Sequence, residues 1–379
     1  MQITLTRRRT ARFAVPLALV ALVAAGCGRA GTTADAAKPS GDADTAAVRA
    51  AERFLAPYKG KADVWKGPTT SPPAAKGKTI VFLNRYTFSE TNSYVIKTAR
   101  QAAAALGWKF VALDVSKDFD AGVAQAVAMK PDGLFSQVTE GDTDVKALQR
   151  IADSKIPHVE FTVGTTDYNK NNPGITHIVD YHFYEQGQLA AAQAVVQTGG
   201  RAKLGLFHAA ANSSNRQEIQ GIKDYFAKYG GGSVAKENVV ADGVIGTPQL
   251  GQAAVAFLQG NPQINVLWHE FDGIALGAVP ALKAAGLSKV PQISHEGDAP
   301  NLDFVRDGAG QVADVAVSYG WATWAAFDDL NRIFNGLEPP ADDGIPVRVL
   351  TKDNLPPRGQ RFEGDLDYAA RYKKLWKVG

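Results

Sequence analysis

Thr79-Ile-Val-Phe-Leu-Asn-Arg-Tyr-Thr-Phe-Ser-Glu-Thr-Asn-Ser-Tyr-Val-Ile-Lys-Thr-Ala-Arg100, continuing through Ala102–Leu106 to Gly107-Trp108, decides the fold of this chain. It opens on four apolar residues, Ile80–Leu83, with no polar alternation, the pattern of a parallel strand covered on both faces. A polar loop, Asn84–Asn92, follows. An Ala-rich helical run then ends at Gly107, and Lys109–Leu113 reads as a second strand. Ligands of open α/β sheets bind just beyond the carboxyl ends of the strands. That places Arg85, Phe88, Glu90 and Asn92 at a candidate binding site.

The same grammar repeats along the chain. Strand-like runs are Phe110–Leu113, Gly133–Phe135, His158–Phe161 and Thr176–Val179, with helical runs near Asn92–Leu106, Asp120–Met129 and Asp142–Ser154 between them. A second series follows, with strands at Lys203–Phe207, Val239–Val244, Val266–Trp268, Gln292–Ser294 and Val312–Val317. Its helices are Tyr184–Gln197, Asn215–Tyr229, Gln249–Gln259, Gly273–Ala285 and Leu302–Asp307; Gly320–Asn335 and a returning strand, Val347–Leu350, close the pattern. Two βα series in tandem predict an α/β protein of two doubly wound parallel-sheet lobes. No repeat of solenoid length is visible.

Composition sets the outer limits. The chain has 379 residues, 45% hydrophobic and 21% charged, enough for two ordinary globular cores. A net charge of only +3 removes the electrostatic case for nucleic acid as a partner. Arg7-Arg8-Arg9 and Arg12 followed by the short apolar run Phe13–Ala25 mark residues 1–27 as a targeting segment, too short for an ordinary membrane span. The run ends in Ala24-Ala25-Gly26-Cys27, and Cys27 is the only cysteine. This resembles a bacterial lipoprotein signal, with Ala24 where Leu is usual, and implies lipidation of Cys27 and attachment outside the cytoplasmic membrane. The alternative is an ordinary cleaved secretory peptide with an incidental cysteine. Residues 28–76 are expected to be a flexible tether containing a short helix around Thr45–Tyr58. Gly77-Lys78-Thr79 is not a phosphate loop, because Pro72 occupies the required glycine position and the tripeptide precedes its strand.

The order of elements, Leu106-Gly107-Trp108, Ile156-Pro157 before a strand, Asn215-Arg216 with Gly221, and Asp272-Gly273-Ile274-Ala275-Leu276-Gly277-Ala278 together resemble the type I periplasmic solute-binding proteins of sugar-class ABC importers, the ribose-binding group in particular. The resemblance spans about Gly77–Leu350. It implies two lobes, residues 77–180 with about 319–345 and residues 181–318, joined by a three-segment hinge near Asp180–Tyr181, Val317–Tyr319 and Pro339–Pro346. Residues 346–379 are then a returning strand and tail. It further implies a monomer that closes over a small polar solute and delivers it to an ABC permease, without a cofactor or metal.

Residue by residue, the resemblance implies a changed pocket. Ser89 stands for a family Asn, and Thr91 and Asn92 for a Phe pair. Gln137 takes the place of an Asn, and Thr162-Val163 the place of a sugar-binding Asp-Arg. Arg216 matches a family arginine, Phe271 replaces an Asn, Asp272 matches, and His295-Glu296-Gly297 replaces Phe-Asp-Gly. Ribose is therefore not the expected ligand. Each residue also has a plainer reading. Arg216 suits a solvated helix face, Asp272 a helix cap, Phe88 a core position, and Arg85 with Glu90 a rim ion pair.

Two other functions are weighed. His269-Glu270 and His295-Glu296 suggest metal or acid–base chemistry, but neither continues to the second His of a metalloprotease motif, and no Gly-x-Ser-x-Gly elbow occurs. An enzyme is therefore not expected. A sensor subunit feeding a signalling receptor would share the fold and stands as the alternative. A transcription regulator would need an N-terminal DNA-binding element where this chain has its leader and tether.

Overall fold

The computed structural model describes residues 41–379 apart from Phe88, Ala211 and the side chain of Ala43. The leader, Cys27, the first part of the tether and the candidate binding residue Phe88 lie outside the described residues. Strand β1 (Thr79–Asn84) pairs in parallel with β2 (Lys109–Asp114) on one side and β3 (Gly133–Gln137) on the other. Strands β4 (His158–Phe161) and β5 (His177–Val179) complete a five-stranded sheet of order β2-β1-β3-β4-β5. The uninterrupted apolar run in β1 has a direct cause. Ile80 and Phe82 pack under α2 (Glu90–Leu106), whereas Val81 and Leu83 face α3 (Phe119–Ala128) and α4 (Val145–Ser154) on the opposite face. A four-residue helix, α5 (Asp167–Lys170), lies between β4 and β5.

The chain leaves this lobe at Asp180–His182 and enters α6 (Phe183–Gln197). The second sheet contains β6 (Ala202–Ala209), β7 (Gly232–Val240), β8 (Val266–His269), β9 (Gln292–Glu296) and β10 (Gln311–Val317), with β11 (Val347–Leu350) on its edge. Their order is β11-β10-β9-β8-β6-β7, parallel except for the antiparallel β10–β11 pair. Helices α7 (Ser213–Tyr229), α8 (Pro248–Gly260), α9 (Asp272–Ala284) and α10 (Ala299–Asp307) accompany it. The strand expected at Val239–Val244 is instead the end of β7 followed by a 3₁₀ turn at Asp242–Val244. As the sheet's outer strand, β7 exposes polar side chains and lacks an apolar run to mark its start.

From β10 the chain returns to the first lobe at Ser318 and forms α11 (Tyr319–Phe334), then passes back through residues 335–346 to β11. Two further segments bridge the lobes. Helix α1 (Gly41–Leu55), part of the expected tether, packs Ala47, Ala51 and Leu55 into the second lobe's core. After a 3₁₀ turn, residues 59–78 run to the first lobe, where Trp65 stacks on Trp321 at 4.5 Å between ring centroids. At the other end, residues 351–367 leave β11 and lead to α12 (Tyr368–Trp376), which packs on the first lobe beside α2 and α11. Asp367 caps α12 by accepting from the Ala370 amide at 2.9 Å, and Trp376 stacks on Trp324 at 5.2 Å. These two straps lie outside the three expected hinge segments.

Candidate functional site

The two sheets face each other with their strand ends, and the loops there touch across the gap. Ser213, first residue of α7, is the centre of one contact. Its hydroxyl donates to Glu140 at 2.7 Å and accepts from the Gly164 amide at 2.9 Å and Asn169 at 3.0 Å. Its amide also donates to Glu140, at 3.1 Å. Gly164 leaves no room to spare, since a Cβ there would lie 2.6 Å from the Ser213 carbonyl carbon. At the rim, Arg216 meets Asp142 at 3.1 Å. On the other flank, Thr91 at the start of α2 donates to Asp298 at 2.9 Å.

Several strand ends carry left-handed backbone at non-glycine residues: Val138 (φ 54°) after β3, Thr162 (φ 57°) after β4 and Glu296 (φ 111°) ending β9. Such conformations persist only where surrounding packing imposes them, and they collect at ligand sites. Below the seam lies an aromatic floor. Tyr181 and Tyr319, from two of the segments that cross between the lobes, pack at 5.3 Å, and Phe161 and Phe183 each lie 5.8 Å from Tyr181. The Tyr181 hydroxyl and the side-chain Oε1 of Gln137 are buried without a hydrogen-bond partner. A buried polar atom in that position costs stability unless something from outside pairs with it.

The expected residues divide into three groups. Gln137, His295 and Glu296 sit at the seam or beside it. The Glu296 carboxylate accepts from the Tyr319 hydroxyl at 2.8 Å, and His295 Nδ1 lies 2.9 Å from Glu218. Others are engaged within one lobe. Arg85 grips Asp144 through two bonds of 2.7 and 2.9 Å, donates to the Val138 carbonyl, and lies over the Phe119 ring. It therefore braces the loop after β3 and does not pair with Glu90, which is exposed. Asn92 donates to Asn84 at 2.8 Å, and the Thr162 hydroxyl to its neighbour's carbonyl at 2.6 Å. Finally, Asp272 is fully buried under the β9 loop, accepting from the Asp298 amide at 2.7 Å and from Ser294. Phe271 packs in the second lobe's core, and Arg216 bridges the lobes at the rim.

Residues not singled out from the sequence matter as much. Glu140, Ser213 and Asn169 form the seam itself. Glu270, which the sequence offers only as half of a His-Glu pair, follows β8 and accepts from the Ala209 amide at 2.7 Å. Arg361, from the C-terminal strap, is held by Asp298 at 2.8 Å and lies over the rings of Tyr94 and Tyr319. One strap thus reaches into the contact between the lobes.

Burial governs the charges here. It pushes Glu296 up to about 8, with the Asp298 carboxylate adding to the effect, and Glu270 up to about 7. For His295, burial disfavours the charge, but the Glu218 carboxylate outweighs it and the imidazole rises to about 9. All three are raised, so each stabilises the fold fully below its unfolded value. That contribution is lost as pH climbs through the folded value. The ligand-free protein should therefore melt several degrees lower at pH 9 than at pH 6 in buffers of equal ionic strength. A midpoint that holds or rises over that interval contradicts this account of the three groups.

A conserved-domain comparison decides the family. Residues 80–338 match the model described as a periplasmic binding protein domain. The chain belongs to that family. It is a binding protein of two parallel-sheet lobes, not an enzyme, and its family acts outside the cytoplasm. The chain is 26% identical over 234 residues to a D-apiose import binding protein from Actinobacillus succinogenes, covering 59% of this chain and 71% of the relative. The fold is similar to an ABC transporter solute-binding protein from Agrobacterium vitis with bound allitol, with a TM-score of 0.65 and 22% identity over 74% of this chain and 97% of that one. It is similar also to a glucose-galactose binding protein from Geobacillus stearothermophilus, with a TM-score of 0.64 and 18% identity over 74% of this chain and 100% of that one. Among the described residues, no helix is long and apolar enough to cross a membrane.

Proposed function

We propose that this periplasmic binding protein encloses a small polyhydroxy ligand, a sugar or sugar derivative, between its lobes and delivers it to an ABC permease. The observation that carries the reading is the seam. Two lobes meet at Ser213 and Glu140 over an aromatic floor, where buried Gln137 and Tyr181 atoms lack partners. Aromatic faces suit the apolar side of a sugar ring, and amide and carboxyl groups suit its hydroxyls. We assign ligand contact to Gln137, Glu296, His295 and Tyr181, and a closing role to Arg216. Thr162-Val163, in place of an Asp-Arg pair, argues against ribose. The relatives named for D-apiose and crystallised with allitol support a sugar or polyol of similar size. Lipid at Cys27 would hold a monomer at the outer face of the membrane.

Calorimetry against a panel of pentoses, hexoses and polyols, guided by mass spectrometry of whatever co-purifies, tests this reading. One equivalent of one such compound should bind, and the radius of gyration should contract. If no compound in the panel binds and scattering stays unchanged, the assignment fails.

A further inference from the structure

Away from the seam, three side chains converge where the third hinge segment lies on the first lobe. His177 opens β5, Asp329 lies within α11, and Asp343 belongs to the return segment 335–346. The His177 Nε2 atom is 3.5 Å from Asp329 Oδ2 and 3.8 Å from Asp343 Oδ2. Candidate ligand atoms of all three residues lie within 4.8 Å of one another.

Both carboxylates are buried, and the cluster is short of donors. Asp329 has neither oxygen hydrogen-bonded, Asp343 Oδ1 has no partner, and His177 Nε2 has none. The adjacent Asp328 shows what this environment does supply. It accepts from Trp376 at 2.7 Å, from Arg332 at 2.8 Å and from Ser71. Asp329 points the other way, into the space shared with His177 and Asp343. An isolated buried carboxylate costs several kcal/mol, so such groups are paired or bind a cation.

We propose that His177, Asp329 and Asp343 bind a divalent transition-series cation, zinc or manganese. One imidazole and two carboxylates suit these ions better than calcium, which prefers an all-oxygen shell. Ligands ~2.1 Å from a tetrahedral ion lie ~3.4 Å apart, and the His177 imidazole lies 3.5 and 3.8 Å from the two carboxylates. His177 is the most accessible of the three, with 17% of its side chain exposed, and leaves a path for entry and for a water as further ligand. Asp343 is held for the task. Gly344 turns with φ +66°, and a Cβ there would lie 2.2 Å from the Lys66 carbonyl carbon of the N-terminal strap. A bound ion would pin the return segment to β5 and α11.

The test uses the full-length chain without an affinity tag, stripped with chelator and dialysed. Elemental analysis and calorimetry with Zn²⁺ and Mn²⁺ should find one equivalent of one of them per chain, with a raised melting temperature. His177→Gln and Asp329→Asn should each weaken uptake about 100-fold or more. If Asp329→Asn fails to fold, His177→Gln carries the comparison, since it keeps a polar side chain at the most accessible position. The proposal is overturned if the wild-type chain takes up neither ion. Uptake unchanged in His177→Gln overturns it too. A stripped chain that gains stability only from acid, with no response to either ion, shows that the carboxylates share a proton and ends the proposal.

Discussion

Gly164→Val is expected to weaken ligand capture about 100-fold while leaving both lobes folded. Gly164 belongs to the first lobe and Ser213 to the second, and their backbones are in contact only while the lobes meet. The new Cβ would lie 2.6 Å from both the carbonyl carbon and oxygen of Ser213, too close for any real contact. Backbone cannot yield as a flexible side-chain end would. The lobes must therefore stand apart. Separation also breaks the Gly164, Asn169 and Glu140 bonds to Ser213. Each such bond contributes ~0.5–1.5 kcal/mol net, more where a carboxylate accepts, so about 3 kcal/mol is lost. That corresponds to about two decades in affinity. Calorimetry measures the loss, scattering should show an extended form, and Gly164→Ala should fall between. Wild-type affinity in the valine variant would mean that the lobes need not meet to hold a ligand.

The second large effect concerns stability and not binding. Trp376→Ala should cost about 3–5 kcal/mol, the range for truncating a buried large aromatic, and lower the melting midpoint by roughly 5–10 °C. Trp376 is fully buried, stacks nearly parallel on Trp324 and donates its indole N–H to Asp328 at 2.7 Å. Its carbonyl accepts from the Ala74 amide of the N-terminal strap. Loss of the ring removes the anchor of α12 and a donor to a buried carboxylate together. Circular-dichroism melts read the change directly. A midpoint within one degree of wild type would mean that α12 is dispensable.

Much of this architecture can be read in the chain itself, because parallel strands covered on both faces leave uninterrupted apolar runs. Ile80–Leu83 is the fully buried centre of β1, His158–Phe161 appears with the limits its sequence suggests, and so does the antiparallel edge strand Val347–Leu350. Where a strand is largely polar and half-exposed along its length the signal fades, as with β7. Helix α12 escapes for another reason. Its buried residues, Tyr372 and Trp376, occupy one stripe of a short, Lys-rich segment that looks like a solvated tail.

The site is harder to read than the fold. Arg85 stands on the right loop, but its fate is set by Asp144, which only the tertiary structure brings near. Glu140 and Ser213 sit at strand-end and helix-start positions that sequence can locate. That they face each other is a property of two lobes, and no local pattern records it. Arg361 belongs to a tail with no visible connection to the seam at all.

The two straps have a practical consequence. Because α1 is moored on one lobe and α12 on the other, the stretch from α1 to Gly379 begins and ends on opposite jaws of the molecule. A fluorophore pair placed on α1 and at Gly379 would therefore serve as a ready-made ruler for the proposed closure, without a label near the cleft.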